Sequence, residues 1–326
     1  MTRSAKTHRR ALVWILRIGA LLLVGWFVAG SVRGAIGQLR QHEWDLHPAW
    51  LIFSGALYGM SLLPQGWFWD RTLAALGYPT PLIATLRAYL LGHLGKYVPG
   101  KAISIILRVA GIRRWVPSMR IALLSAIIET LTMMAVGALL AAATTGLVLH
   151  LDPIIWLAAL GMAGVSLVPT LPPTAKLLAR IGNPQTSAVH DDDTESSATD
   201  EPNIELAGVN YRLLASGWAA ACVCWLFIAL SLWATLRALG ISEFSPVHDL
   251  PLLIAAVTFS VVAGFLSQLP AGLGVRDALL MQLLVPVCGE ANALVVAVLM
   301  RLVWLVSEII VCGILYIGSG RQKTTA

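Results

Sequence analysis

The apolar positions of the chain fall into seven long runs separated by short polar stretches. The runs are residues 11–32, 49–69, 121–150, 153–168, 211–239, 250–269 and 291–317. About 20 apolar residues suffice for a helix to cross the hydrocarbon core of a bilayer. The pattern therefore predicts seven membrane-spanning helices, and Trp67 and Trp69 in the second run suit the membrane interface, where aromatic rings sit.

Three shorter apolar stretches border two proline-containing breaks. Residues 82–94 and 102–112 flank Pro99-Gly100, and residues 272–286 follow Pro270. Proline interrupts a continuous helix and Pro-Gly favours a turn, so these stretches predict broken or re-entrant helices. For the first break, a basic amphipathic segment on the membrane surface remains an alternative. If one of these short stretches crosses the membrane, the chain has eight spans and its C-terminal tail is cytoplasmic. The cations of the tail favour this side.

Composition supports a membrane protein. The chain has 326 residues, of which 57% are hydrophobic and only 12% charged, whereas soluble domains carry about 25% charged residues. We therefore expect an all-α, polytopic transmembrane helical bundle of about seven or eight spans. The net charge of +6 concentrates in the N-terminal tail and at the ends of apolar runs. This distribution predicts an inner (plasma) membrane protein with a cytoplasmic N-terminus, and it does not suggest nucleic acid.

The chain reads as one integral membrane domain in two repeat-like halves, residues 11–181 and 209–318. Between them, residues 182–208 are rich in Asp, Glu, Ser, Thr and Pro, a composition that predicts a disordered cytoplasmic linker. Each half contains a break followed by a long apolar run with an embedded charge, Glu129 in the first half and Arg301 in the second. The number of residues between Pro99 and Glu129 nearly matches the number between Pro270 and Arg301.

Charged side chains inside apolar runs are costly, about 2.5–3.5 kcal/mol each at the bilayer centre on insertion scales. Such residues pair with one another or line a pathway. If the halves are repeats, Arg301 would pair with Glu129. Glu308, seven residues further along the same helix face, is the other candidate partner. A static structural pair and a functional pathway both remain open.

The two breaks carry sequence motifs that resemble a known family. Gly95-Lys-Tyr-Val-Pro-Gly-Lys101, with Arg108 beyond it, is similar to the first signature of the lysylphosphatidylglycerol synthase transmembrane-region family. Leu269-Pro-Ala-Gly-Leu-Gly-Val-Arg-Asp277 resembles the second. The resemblance covers nearly the whole chain except the acidic linker. Three features depart from it: Ala271 replaces a glycine, Asp277 replaces a glutamate, and Glu129 lacks the arginine that often follows.

The resemblance implies a flippase-like membrane module. In multidomain members a separate soluble domain attaches lysine from charged tRNA to phosphatidylglycerol. Too few residues follow residue 317 for such a domain, so we expect the membrane module alone. Gly92-His-Leu-Gly-Lys96 lacks the spacing of a phosphate-binding loop, so neither nucleotide nor other cofactor is expected. The four cysteines lie in apolar runs, which argues against disulfides and metal binding.

The leading hypothesis is a non-enzymatic translocator of a membrane phospholipid or a lipid-linked anionic substrate. Cationic side chains and freed backbone N–H groups at the breaks would hold the phosphate, with Arg276 at the head-group entrance and Arg301 at depth. The predicted substrate-binding residues are Lys96, Pro99, Gly100, Lys101, Arg108, Pro270, Gly272, Gly274, Arg276 and Asp277, with Glu129, Arg301 and Glu308 as intramembrane charges. One alternative is a membrane transferase using Asp277 or Glu290. The other is a non-transporting subunit of an envelope-assembly complex that recruits a basic partner through residues 191–201.

Overall fold

The structure is a computed structural model, and it describes residues 46–97, 102–148, 153–171, 173–174, 208–267, 269, 272 and 274–320. The first predicted span, nearly all of the acidic linker and the tail beyond Gly320 lie outside these residues. So do four of the predicted site residues, Pro99, Gly100, Lys101 and Pro270.

The described part of the chain is all-helical, as predicted, with nine α-helices and no strand. The helices are α1 (Pro48–Ala75), α2 (Leu82–Leu94), α3 (Ala102–Ile112), α4 (Met119–Ala142), α5 (Pro153–Leu167), α6 (Tyr211–Ala238), α7 (Leu250–Leu266), α8 (Val275–Cys288) and α9 (Glu290–Gly320). A 3₁₀ turn, Gly95–Tyr97, extends α2, and a π-helical turn, Ala143–Val148, extends α4.

Local sequence sets where these helices begin and end. Pro48 occupies the first turn of α1, where its missing N–H costs nothing. The chain leaves that helix through Gly77, whose φ of 87° suits glycine. The N-caps of α4 and α6 are Ser118 and Asn210, whose side chains accept hydrogen bonds from backbone N–H groups of the first turn.

Three of the described helices are long and apolar enough to cross a membrane: Met119–Gly146, Tyr211–Ala238 and Glu290–Leu315. Helix α1 is long enough, with 28 residues, but its sequence is not apolar enough. Helices α5 and α7 are shorter, with 15 and 17 residues. The chain is thus an integral membrane protein, while seven or eight spans stays a prediction.

Each proline-containing break lies in a helical hairpin. Helices α2 and α3 pack against each other in the first hairpin, and α7 and α8 do so in the second. With 13 and 11 residues, α2 and α3 rise about 20 and 16 Å, short of the roughly 30 Å hydrocarbon core. Tyr89, Leu90 and Ile112 of the first hairpin are buried in the core, which favours the broken-helix reading over a surface segment.

Helices α1 and α6 pack closely against each other through small and hydroxylated residues. Ser54 Oγ lies 2.8 Å from the Ser231 carbonyl oxygen and 2.9 Å from Thr235 Oγ1. A Cβ placed at Gly217 would lie 2.4 Å from the ring of Phe68. Membrane helices associate in this way because small residues allow close approach and hydroxyl groups bond across the contact.

Each hairpin contacts one helix of this pair and further long helices. The first hairpin contacts α1 through α2, and the second contacts α6 through α7. Helix α2 also packs on α9, and α7 packs on α4. Each hairpin therefore touches the long helix that follows the other hairpin.

Candidate functional site

Seven side chains from beside the two breaks, α1 and α9 form one group, here called the central cluster, in which all but Lys96 and Asp277 are buried. Helix α9 contributes three of them at positions i, i+3 and i+7, which share one helix face. The second hairpin contributes two adjacent residues at the start of α8. The members are Tyr58, Lys96, Arg276, Asp277, Arg301, Trp304 and Glu308.

The carboxylate of Glu308 is held by the first hairpin and by α1. Lys96 Nζ forms an ion pair with Glu308 Oε1, and the Tyr58 hydroxyl donates a hydrogen bond to the same oxygen. Lys96 Nζ also lies 3.3 Å from the Tyr58 oxygen. Because Glu308 is 1% exposed, this pairing is what makes its burial tolerable.

Arg276 lies differently, because it packs on an aromatic ring. Its guanidinium lies 3.9 Å above the centre of the Trp304 ring, and that ring stacks on Tyr58 with centroids 4.4 Å apart. The residue is 8% exposed. Among the described residues, no carboxylate lies within ion-pairing distance of Arg276. Its positive charge is thus buried without a partner of opposite sign in the part of the chain that the structure describes.

Arg301 pairs with Asp277, and the predicted pairing with Glu129 or Glu308 is wrong. Arg301 Nη2 lies 2.9 Å from Asp277 Oδ2, although neither Nη of this guanidinium makes a well-directed hydrogen bond in the described residues. Asp277 also accepts a hydrogen bond of 3.4 Å from the Gly274 N–H. The start of α8 brings Asp277 to Arg301, while the first hairpin supplies other cations to both glutamates.

The central cluster has more positive than negative charge, and it contains donors as well as one acceptor, Glu308 Oε2, that have no hydrogen-bond partner in the described residues. Three cations face two carboxylates, which leaves one positive charge in excess. Arg301 Nη1 and Trp304 Nε1 are buried N–H donors that have no hydrogen-bond partner in the described residues. Electrostatic interactions strengthen as the surroundings become less polar, so this group favours a bound anion.

A second buried group, the Arg108 pocket, consists of Trp69, Tyr89, Arg108 and Glu129. Arg108 Nη1 lies 2.5 Å from Glu129 Oε2, and its guanidinium lies 4.4 Å from the centre of the Tyr89 ring. The same guanidinium lies 5.7 Å from the centre of the Trp69 ring. The charge of Arg108 is therefore neutralised within its own half of the chain. The structure separates Arg108 and Glu129 from the central cluster, whereas the sequence grouped them.

Glycines allow both hairpins to close around their arginines. A Cβ placed at Gly92 would lie 2.3 Å from Arg108 Cγ, and one at Gly264 would lie 2.9 Å from Arg276 Cβ. Gly272 and Gly274, both predicted site residues, have φ of 67° and 81° in the second turn. An L-residue would be strained there, so their role in the structure is to shape the turn.

Sequence reasoning missed the aromatic members of both groups. Tyr58 and Trp304 stack on each other, and Tyr89 supports Arg108. Trp69 is fully buried in the protein and donates a 3.0 Å hydrogen bond to Ser125 Oγ, a contact that the sequence did not indicate. A usable signal did exist for Trp304, which lies three residues after Arg301 on the same helix face.

The fold and these buried ion pairs define a polytopic α-helical membrane protein. A family model described as the lysylphosphatidylglycerol synthase TM region matches residues 14–312, so the chain belongs to this family. The predicted resemblance is confirmed, and with it a role related to membrane lipids. No curated protein gives a significant match to the chain.

Proposed function

We propose that this protein moves an anionic lipid, either a phospholipid or a lipid-linked precursor, between the two leaflets of the membrane. The observation that carries the proposal is Arg276, a buried cation that has no carboxylate partner among the described residues. A phosphodiester carries one negative charge, which equals the excess positive charge of the central cluster. Binding one such group would neutralise the cluster.

The geometry of Arg276 suits a phosphate. One face of the guanidinium rests on Trp304, which leaves its N–H edge as the binding surface. Guanidinium groups bind phosphate with two parallel hydrogen bonds. The unpartnered Arg301 Nη1 and Trp304 Nε1 would add further donors to the same anion. Tyr58 stacks on the same tryptophan ring and so helps to fix its orientation.

The order of the helices supports a transport role. Each half contains a long helix, a hairpin of two shorter helices and a second long helix: α1 to α4 in the first half and α6 to α9 in the second. We propose that the halves are structural repeats. Transporters built from repeats place their substrate sites between the repeats, beside broken helices. The acyl chains would stay in lipid, so only the head group needs a polar path.

The proposal assigns no catalytic step to the chain. Asp277, which a transferase would need as an acid or base, is engaged by Arg301 and by the Gly274 N–H. The sequence carries no nucleotide-binding motif, so transport would be passive or coupled to an ion. The cation-rich N-terminus favours the plasma membrane with that end in the cytoplasm.

A leaflet-exchange assay tests this function. Phosphatidylcholine liposomes would contain the protein and a trace of head-group-labelled anionic phospholipid or, in parallel, labelled phosphatidylcholine. A membrane-impermeant quencher then reports how much label reaches the outer leaflet. Without exchange, only the label that starts in the outer leaflet is quenched. We expect the wild-type protein to raise the quenched fraction of the anionic lipid above this value.

Arg276→Ala should slow this exchange by about ten-fold or more, because charge-assisted hydrogen bonds to the phosphate are lost. Arg237→Ala is the matched control. Arg237 also lies over a tryptophan, 5.6 Å from the centre of the Trp50 ring, but outside the central cluster. Wild-type exchange in Arg276→Ala would overturn the binding site. No exchange of any tested lipid by the wild-type protein would exclude translocation of those lipids.

A further inference from the structure

Only one of the two carboxylate oxygens of Glu308 is hydrogen-bonded within the described residues. Lys96 and the Tyr58 hydroxyl both bind Oε1, whereas Oε2 is buried and has no partner there. The Tyr97 side chain lies near Glu308, but it directs no hydrogen bond at Oε2. Native proteins satisfy almost all buried polar atoms, so an atom of this kind indicates a missing partner. The central cluster therefore needs a hydrogen-bond donor at Glu308 as well as an anion at Arg276.

The free oxygen of Glu308 lies about one helical turn from the place assigned to the phosphate. Trp304, which supports Arg276, and Glu308 are four residues apart on α9, so their side chains are neighbours on one face. Tyr58 joins the two, because its ring stacks on Trp304 and its hydroxyl bonds Glu308. One turn is about 5.4 Å along the helix axis. A hydroxyl group on the second carbon of a phosphate ester is four bonds, about 5 Å, from phosphorus and spans this distance.

We infer that the central cluster selects a monoanionic phosphodiester whose alcohol carries a free hydroxyl group, as a glycerol or sugar head group does. The phosphate would lie at Arg276, and the hydroxyl group would donate a hydrogen bond to Glu308 Oε2. Hydrogen bonds that involve an ionised group are among the stronger ones, so this contact affects selectivity. The inference rests on the proposed function, because it assumes that the cluster binds the head group of the transported lipid.

The charge of the cluster decides between a hydroxyl group and an amine as the donor. An ammonium group would also donate to Glu308 Oε2, but a phosphodiester that carries one has no net charge. The three cations of the cluster would then still exceed its two carboxylates by one positive charge. An uncompensated buried charge is costly. A hydroxyl group donates without adding positive charge, so a hydroxylated monoanion satisfies both needs.

Thermal stabilisation of the protein in detergent tests this preference without requiring transport. The probes are the dihexanoyl forms of phosphatidylglycerol, phosphatidylpropanol and phosphatidylethanolamine. The first two share their charge and a three-carbon alcohol, but the propanol group has no free hydroxyl. We expect phosphatidylglycerol to raise the melting temperature at an about ten-fold lower concentration than phosphatidylpropanol, because one hydrogen bond to a charged group is lost. Phosphatidylethanolamine should also be weaker than phosphatidylglycerol, and equal stabilisation by it would overturn the charge argument.

The same lipids can be compared in the leaflet-exchange assay. There the label is placed on an acyl chain, so that the head group stays unmodified. With the wild-type protein, labelled phosphatidylglycerol should exchange faster than labelled phosphatidylpropanol. The difference should follow the difference in binding, because the head group has to enter the site before it can cross.

A double variant tests whether the preference originates at Glu308. Glu308→Gln keeps an oxygen that accepts from Tyr58 but places an amide N–H group where Oε2 was, and Lys96→Met removes the paired cation. The excess positive charge is unchanged, since one charge of each sign is removed. The double variant should bind phosphatidylglycerol and phosphatidylpropanol equally. The matched control is Glu243→Gln, which alters an exposed carboxylate between α6 and α7 and should keep the preference.

Two results would overturn the inference. One is equal stabilisation of the wild-type protein by phosphatidylglycerol and phosphatidylpropanol, which would mean that water satisfies Glu308 Oε2. The other is a preference that persists in the folded double variant; if that variant does not fold, the wild-type comparison decides alone. Lipid exchange without a hydroxyl preference would uphold only the proposed function. A hydroxyl preference in binding without any exchange would uphold the head-group site and overturn translocation.

Discussion

Two buried arginines, one in each hairpin, show how the same side chain is used in two ways. Arg108 pairs with Glu129 and lies over Tyr89, so its charge is neutralised where it stands. Arg276 lies over Trp304 and has no carboxylate partner among the described residues. Both are buried, and each passes a glycine of the preceding helix at close range.

This difference predicts that Arg108 contributes to stability and Arg276 to binding. A buried ion pair mainly avoids the cost of isolating either of its charges, so Arg108 and Glu129 depend on each other. A buried cation with no partner is costly on its own, and a bound anion would offset that cost. We therefore expect mutations in the Arg108 pocket to affect folding first and mutations at Arg276 to affect lipid exchange first.

The largest effect should come from Arg108→Ala. The change leaves Glu129 buried without a cation, which costs about 3–5 kcal/mol of stability. We expect little folded protein, measured as monodisperse yield and thermal melting in detergent. The double variant Arg108→Leu with Glu129→Leu should recover folded protein. A double variant no better than Arg108→Ala would show that the pair does not account for the loss.

Alanine at the two hairpin glycines should have the next largest effect. At Gly92 the new Cβ would approach the Ser104 carbonyl oxygen at 2.9 Å as well as Arg108, and backbone atoms cannot move aside easily. At Gly264 the contacts are Arg276 Cβ at 2.9 Å and Gly272 Cα at 3.3 Å. Overpacking of this kind costs about 1–3 kcal/mol. We expect Gly92→Ala to lower the melting temperature more than Gly264→Ala, and the reverse order would contradict this account of the two hairpins.

Arg301→Ala should have a smaller effect on stability. Its partner Asp277 is partly exposed and can be hydrated, so the loss should be about 1–2 kcal/mol, between the values for surface and buried pairs. Adding Asp277→Ala should recover most of this loss, whereas adding Glu129→Ala should not. The measurement is the melting temperature in detergent. Recovery on adding Glu129→Ala would instead support the pair of Arg301 and Glu129 that the sequence suggested.

The smallest effect on stability is expected for Arg276→Lys. Lysine retains the positive charge but lacks the planar group that stacks on Trp304 and binds phosphate with two bonds. The melting temperature should change little, and lipid exchange should fall to a value between those of wild type and Arg276→Ala. Exchange equal to wild type would mean that charge alone matters at this position.

Much of the fold follows from the sequence because it is a local or compositional property. The bounds predicted for the first hairpin, residues 82–94 and 102–112, agree with α2 and α3. Proline and glycine end a helix within a few residues of their own position. The length of an apolar run likewise shows directly whether a helix can span the membrane. Charges such as Lys96, Arg276 and Glu308 also stand out, since a charge in an apolar sequence is conspicuous wherever it lies.

What only the tertiary structure decided is which charge meets which. Lys96 and Glu308 are 212 positions apart, and no periodicity links them. The sequence suggested that matching offsets would join Glu129 to Arg301, but each is nearer to a partner on the adjoining short helix, Arg108 and Asp277. Helix packing sets these distances, and a difference of a few ångströms at low polarity decides the pairing. For the same reason the charge left over, on Arg276, became visible only in the folded chain.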